Sequence, residues 1–315
     1  MVDFEDIRTA HRHYTAILPP TPAFSYPTLN AVCGGASVVV KHENTQPTGA
    51  FKIRGGISYF AERMAQGTRL ESVVTASTGN HAQSIAWSAA RNGVDALIVV
   101  PETTPEAKVH AISGWGARVV RYGATMSEAL THARDEYPNR VFVSPSDPDI
   151  IAGHGGVYLE LLQQHPDLEV VYVPVGSGTG ACGSILVRDA LAPECRIIGV
   201  QSAQAPAAHR AWTTGEPTEI TPMTRAAGLA TGSSYPEPQR IMRGLDDFIL
   251  VDDTEIDLAR RILATRAHTL AEGAGAAGLA GLLADFRRET ASANHCAIVV
   301  TGGNADDNEL ATLGR

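Results

Sequence analysis

Short runs of continuous apolar residues alternate with helical stretches along almost the whole chain, and this alternation restricts the fold more than any other feature. "SVVTA" (72–76), "DALIVVP" (95–101), "ARVVRY" (117–122) and "RVFVSP" (140–145) predict four strands. "LEVVYVPVG" (168–176), "CRIIGVQ" (195–201), "DFILV" (247–251) and "HCAIVVTGG" (295–303) predict four more. Between them lie stretches with helical spacing, such as "GNHAQSIAWSAARNG", stopped by Gly93, and "TPEAKVHAISGWG", stopped by Gly114 or Gly116. A strand that is apolar at every position has no face to give to water, so both faces of its sheet must be covered. Apolar strands separated by helices therefore predict an α/β fold of open parallel sheets. The first four strands predict a small α/β domain over 71–146. The later ones, joined by the segment 37–41, predict a larger domain built from 1–70 and 147–315. There is no internal repeat and no low-complexity linker, and with the chain ending soon after the last strand no further regulatory domain is expected.

The 315 residues carry a net charge of -9 and no basic stripe, which argues against nucleic acid as a partner. The N-terminal "MVDFEDIRTAHRHY" is polar and acidic, unlike a signal peptide, and no apolar run is long enough to span a membrane. The four cysteines are scattered without CxxC spacing and read as buried reduced thiols, so a cytoplasmic location is expected. One compositional detail points to chemistry. Only three lysines, Lys41, Lys52 and Lys108, stand among 25 basic residues. Arginine serves wherever charge alone is wanted, but only lysine can lose its proton when desolvated and act as a nucleophilic amine. Lys52, in "VVVKHENTQPTGAFKIRGG", is the candidate, whereas Lys108 in "PEAKVHAI" reads as a plain helix face.

Three strand ends carry ligand-binding features. "VPVGSGTGACGS" is a strand, a glycine-rich turn and then a helix, "SILVRDAL", so its backbone N–H groups suit a phosphate. Gly178, Gly180 and Gly183 also satisfy the dinucleotide fingerprint, but the next strand ends in Gln201 rather than an acidic residue, which disfavours NAD. In "TASTGNHAQSIA", residues 78–81 offer N–H groups and side-chain donors suited to a carboxylate; the plainer reading makes Ser77 or Thr78 an N-cap. In "VVTGGNADD", Thr301 delivers a hydroxyl to the sheet edge, while Asp306 and Asp307, like Asp252 and Asp253, read as solvated helix starts. The histidines, including "HRH" at 11–13, do not cluster into a metal site, and His154 in "IAGHGG" is either near a site or structural.

"HENTQPTGAFKIRGG", "ASTGNHAQSIA", "PVGSGTGACG" and "TGGN", in this order and spacing, resemble the β-family (fold type II) pyridoxal-phosphate enzymes. Within them the chain is most similar to the threonine/serine dehydratases, with serine racemase as a relative. The similarity extends over almost the whole chain, including "IAGHGGVYLELL", "GVQSAQAPAAHRAW", "GLATG" and "LAEGAGAAGLAGL". It implies two open parallel α/β domains of the kind seen in the tryptophan synthase β-subunit, pyridoxal 5′-phosphate as cofactor, a small amino acid as substrate, and a homodimer.

Residue by residue, the resemblance implies that Lys52 carries the cofactor and then serves as the base at the substrate Cα. Phe51 would lie beside the ring, and Asn80 would bond its 3′ oxygen. Ser77, Thr78, Gly79, Asn80 and His81 would grip the substrate carboxylate. Gly176, Ser177, Gly178, Thr179 and Gly180 would cradle the phosphate, with Gly228 and Glu272 also at the cofactor. Thr301 would meet the pyridine nitrogen. A hydroxyl there cannot hold a protonated ring, which makes the ring a weaker electron sink and favours prompt loss of a β-substituent. Thr78 is also the candidate second acid/base that racemisation needs, although its stiff χ1 is expected to hold the hydroxyl against the backbone as a cap. Relatives with a structural divalent cation have acidic residues where this chain has Gln201 and Ala207, so no metal is expected. Ala227 likewise replaces an acidic residue before "GLAT". The implied activity is that of an ammonia-lyase on threonine or serine. Racemisation, β-replacement and a substituted substrate such as 3-hydroxyaspartate are the alternatives on the same scaffold, and a noncatalytic pyridoxal-phosphate carrier or an NAD oxidoreductase stand outside it.

Overall fold

The computed structural model describes residues 2–288 and 293–314. Among the described residues ten strands form two sheets. The larger has the order β1 (Ala23–Ser25), β2 (Ser37–His42), β10 (His295–Val300), β7 (Val170–Pro174), β8 (Arg196–Ser202) and β9 (Asp247–Val251). The smaller has the order β5 (Arg118–Arg121), β4 (Asp95–Val100), β3 (Ser72–Ala76) and β6 (Val141–Phe142). Every pairing is parallel except β1 with β2. The α/β class, the eight strands and the placing of 37–41 in the second sheet agree with the sequence pattern. The short antiparallel β1 does not show in it, because "AFS" is flanked by prolines and mostly exposed, without an apolar run.

Both faces of each sheet are buried, as continuous apolar strands require. In the large sheet Val39, Val171, Val173 and Val299 point to one face, under the helices Phe4–Thr15, Pro148–Gln164 and Thr179–Leu191. Their neighbours Val38, Val40, Val170 and Ile298 point to the other, under Asp253–Arg266 and Gly273–Arg287. The small sheet divides in the same way, with Val73 and Ile98 on one face and Val74 and Leu97 on the other. Each such valine, leucine or isoleucine contributes about 1.5–3 kcal/mol, so burial on both faces holds each sheet between its helix layers.

The helix Pro148–Gln164 is the piece that brings the site together. It packs between the helices Lys52–Ala65 and Thr179–Leu191, and the contacts are backbone to backbone. A Cβ on Gly183 would stand 2.5 Å from the Cα of Gly155. This is why "IAGHGG" and "TGACGS" are rich in glycine, and it leaves His154 between the starts of the other two helices. The Thr179–Leu191 helix also begins five residues before the "SILVRDAL" stretch that marks it in the sequence. Its glycines, poor helix formers in isolation, are held by this packing.

Beneath the Lys52–Ala65 helix lies a buried ionic cluster. The Arg54 guanidinium donates to both oxygens of Glu43 at 2.8 Å and to both of Glu160 at 2.8 Å, and Lys41 Nζ donates to Glu160 at 2.7 Å. Arg54, Lys41 and Glu43 are fully buried, and Arg54 lies 4.0 Å over the Tyr14 ring of the N-terminal helix. Lys41 is thus a structural cation, with no route to an amine role.

Candidate active site

Lys52 is the first residue of its helix. The preceding strand-like turn is tied to the large sheet, since the Phe51 N–H donates to the Thr301 carbonyl at 2.9 Å. From the other side Ser84 Oγ donates to the Lys52 carbonyl at 2.6 Å. The side chain reaches toward the glycine-rich turn, where Nζ donates to Thr179 Oγ1 at 3.1 Å. Burial pushes the Lys52 ammonium down to about 8, so about a tenth is free amine at pH 7, far more than for an exposed lysine. Phe51 lies beside it, with its ring 4.7 Å from Nζ and 4.6 Å from the His154 ring.

Two helices point their N-termini at this amine. The first is Thr179–Leu191, preceded by Gly178 in the left-handed region at φ +91°. Its first amide to bond back is Cys182, to the Gly178 carbonyl, which leaves Thr179, Gly180 and Ala181 without acceptors among the described residues. A Cβ on Gly176 would stand 2.5 Å from the carbonyl oxygen of Gly228, so the turn and the 227–229 segment close on one another. Unpaired amides at a helix start are an anion cradle of phosphate character. The second helix is Asn80–Arg91, where Gln83 is the first amide to bond back, to Gly79. The amides before it are again left to a ligand, and no charged side chain competes for them.

Details of the second turn correct the sequence reading. Neither Ser77 nor Thr78 caps the helix; the N-cap is Gly79, and Ser77 Oγ instead accepts from the Gly79 N–H at 3.3 Å. The Thr78 hydroxyl has no hydrogen-bond partner among the described residues and is not held to the backbone, because the cap position has moved one residue past it. His81 turns its ring into the small sheet, 3.2 Å from Thr75 Oγ1, and burial holds it down to about 3. It is neutral, and its backbone N–H is what it has to offer a carboxylate.

A chain of amides closes the site on the side of the last strand. Asn304 Nδ2 donates to the Thr48 carbonyl at 2.8 Å and to Asn80 Oδ1 at 2.8 Å. A carbonyl can only accept, so the Asn304 amide has one orientation, and Asn80 must then present Nδ2 to Glu272 Oε1, at 2.6 Å. One Nδ2 hydrogen of Asn80 remains for a ligand. Asn304 was missed as a site residue, although it belongs to the "TGGN" motif; the signal was present but the role needs contacts 224 residues apart. Thr301 is buried at the end of β10, beside the Phe51–Lys52 turn. Lys108 is no plain helix face: its Nζ lies 3.6 Å from the Asp306 carboxylate, which also caps the helix Asp307–Ala311. The readings of Asp252 and Asp306 as helix starts hold, each in a capping box.

Burial, and then the charge of Glu309, push the Glu272 carboxyl up to about 7. The folded chain therefore binds a proton there that an ordinary carboxyl, at 4.5, releases. The stabilisation is complete below 4.5 and is lost as pH rises through about 7, a few kcal/mol at about 1.4 kcal/mol per pH unit. Glu272→Gln keeps the acceptor for Asn80 and removes the titration. Its thermal midpoint is expected to match the parent at pH 5 and to exceed it by several degrees at pH 8; equal midpoints at both would show that Glu272 does not titrate in this range.

The position assigned to a cation in some relatives is organised differently. Gln201 Oε1 accepts from the His209 N–H at 2.9 Å, and Ala207 is buried. No cluster of metal-ligating side chains occurs among the described residues. All four cysteines are buried and free, and no described helix is long and apolar enough to cross a membrane.

A buried amine with a lowered pKa, set directly beside a helix start with unpaired amides, fits pyridoxal 5′-phosphate, whose aldehyde and phosphate arm stand on neighbouring carbons of one ring. The comparisons agree. The profile of the pyridoxal-phosphate dependent enzymes matches residues 15–302. The chain is 39% identical over 288 residues to the L-threonine ammonia-lyase of Geobacter sulfurreducens, covering 89% of this chain and 70% of that protein. It is 33% identical to the L-threo-3-hydroxyaspartate ammonia-lyase of Saccharomyces cerevisiae, over 98% of this chain and 95% of that one. The structure of maize serine racemase superposes with a TM-score of 0.91 at 30% identity, covering 98% and 95% of the two chains. The chain spans about half the length of some biosynthetic L-threonine dehydratases that it matches, 54% of the one from Haemophilus influenzae. Matched over most of its length by the family profile, this chain belongs to the pyridoxal-phosphate dependent enzymes, with pyridoxal 5′-phosphate as its cofactor.

Proposed function

We propose that the chain is an ammonia-lyase that converts a small β-hydroxy amino acid, L-threonine or L-serine, to a 2-oxo acid and ammonia. The observation that carries this is the position of Lys52 Nζ, a buried amine facing two helix N-termini whose amides have no acceptor of their own. When bound, the cofactor supplies an electron sink that acidifies the substrate Cα proton. The amides at Thr179, Gly180 and Ala181 would hold its phosphate, and those of Thr78, Asn80 and His81 would hold the substrate carboxylate, the Gly79 N–H being taken by Ser77 Oγ. This fixes the substrate with Cα toward Lys52, whose lowered pKa suits it to remove a proton near pH 7. Phe51 keeps water from one side of that amine. The Thr301 hydroxyl would meet the ring nitrogen and keep the sink weak, which would favour loss of the β-hydroxyl over a long-lived deprotonated substrate. The reading includes a small domain at 71–146 set against 1–70 and 147–315, supported by the two separate sheets. It also includes a homodimer, checked by sedimentation, and a cytoplasmic location, supported by four free buried thiols.

One observation favours the racemase as second reading. Thr78 has a free hydroxyl, as a second acid/base would need. An aliphatic hydroxyl on a stiff, branched side chain is a poor acid, so elimination is expected to dominate. In deuterium oxide the holoenzyme should release more 2-oxo acid than Cα-deuterated amino acid of inverted configuration. An excess of the inverted product would replace the lyase by the racemase, with Thr78 as the second base.

A further inference from the structure

His154 is fully buried between Phe51 and the start of the Thr179–Leu191 helix, yet nothing in the reaction described above uses it. Its Nδ1 lies 3.0 Å from Thr179 Oγ1, the same oxygen that takes a hydrogen bond from Lys52 Nζ at 3.1 Å. Its Nε2 is buried against Gly55 with no hydrogen-bond partner among the described residues. Three polar groups are thus joined in one line, with a single hydroxyl proton in the middle to set its direction.

We propose that His154 is a positioning residue that fixes this line as Lys52 to Thr179 to His154, so that the amine lone pair stays free for the cofactor and the substrate. This rests on the reading that Lys52 is the cofactor lysine. A neutral imidazole has one N–H and one lone pair. Lys52 Nζ donates to Thr179 Oγ1, which leaves the hydroxyl proton for Nδ1, and burial first, then the Lys52 charge, keeps the ring neutral with its own proton on Nε2. The lone pair then falls on Nδ1, facing Thr179. The Thr179 hydroxyl donates to it and can only accept from Lys52. Without an acceptor at Nδ1, the hydroxyl's nearest alternative is the Lys52 amine itself. A hydrogen bond donated to that nitrogen occupies the lone pair that must attack a carbonyl carbon or take a proton. The imidazole therefore acts on the amine through one hydroxyl and touches neither cofactor nor substrate.

The test compares His154→Leu, which has no acceptor, with His154→Gln, whose amide oxygen can replace Nδ1. The readouts are the rate at which the full-length apoprotein, given pyridoxal 5′-phosphate, gains its visible absorbance band, and kcat and KM of the reloaded enzyme. The leucine variant is expected to lose about 10- to 100-fold in both the loading rate and kcat, the scale of a misdirected reacting group, with KM changed by less than about threefold. Glutamine is expected to restore both rates to within about fivefold of the parent, which recovery of volume alone would not do. If leucine and glutamine are equally slow, or both match the parent, the inference is wrong. If the leucine variant does not fold, Thr179→Val and Thr179→Ser make the same comparison; serine must restore the loading rate that valine loses, and equal rates overturn the proposal. Lys52→Ala, run alongside, separates the two claims: a Lys52 variant that still forms the band defeats the cofactor-lysine reading, whereas a dead Lys52 variant with indifferent His154 variants defeats only this one.

Discussion

Lys52→Ala is expected to lose the visible band of the holoenzyme and to reduce turnover by more than about a hundredfold, a barrier increase above roughly 3 kcal/mol. The two losses come together because one nitrogen both holds the cofactor and meets the Cα proton. The fold is not expected to suffer. Lys52 starts its helix through its backbone, held by Ser84 and by the Phe51–Thr301 bond, and its side chain makes one hydrogen bond, to Thr179. Removing a buried amine, whose charge is disfavoured there, should leave the thermal midpoint unchanged or raise it. A variant that keeps more than about a hundredth of the rate would leave Lys52 without its role. Lys41 cannot take its place, since both it and its carboxylate partner Glu160 lie in the buried cluster.

The largest expected effect on stability belongs to Arg54, two residues further along the same helix. Arg54 and Lys41 balance Glu43 and Glu160 in the interior, and of these two cations it is the guanidinium that bonds to both carboxylates. Arg54→Met fills the volume and leaves two buried carboxylates facing one ammonium. The expected cost is about 3–5 kcal/mol, the scale of breaking a buried ion pair from one side. That is a large share of the 5–15 kcal/mol by which domains are ordinarily stable. Adding Glu43→Gln to Arg54→Met restores neutrality and should recover part of the loss, as read by denaturant unfolding. A cost below about 1 kcal/mol, ordinary for exposed pairs, would show that the cluster is hydrated. The carboxyl of Glu160 is held below its usual value chiefly by the bonds from Arg54, against the effect of burial. Its stabilising share is therefore present above the ordinary carboxylate pKa and is lost as pH falls through the lower folded value, which makes this corner of the protein acid-labile.

The architecture was legible wherever one local pattern determined the answer. Apolar runs such as "SVVTA" and "DFILV" become strands with those same limits, because a short continuous apolar run is stable only where both its faces are covered. Lys52 was legible because arginine had displaced lysine almost everywhere else. What escaped the sequence depends on contacts between distant segments. Nothing around Asn304 announces that it orients Asn80, and nothing around Lys108 announces Asp306. The early start of the helix at Thr179 is permitted by Gly155 on another helix, and the same packing decides where His154 points. The capping of the second helix escaped for a smaller reason: a shift of one residue in the helix start makes Gly79 the cap and frees the Thr78 hydroxyl.

One of three lysines, Lys52, is expected to carry the cofactor at the meeting of two helix N-termini. Borohydride reduction of the purified holoenzyme, followed by peptide mass mapping, reads this directly, because it fixes the cofactor to whichever amine held it. The phosphopyridoxyl mass is expected on the peptide containing Lys52, at close to one per chain, with none on Lys41 or Lys108. Label on either of those lysines, or on the N-terminal amine with Lys52 unmodified, would contradict the account.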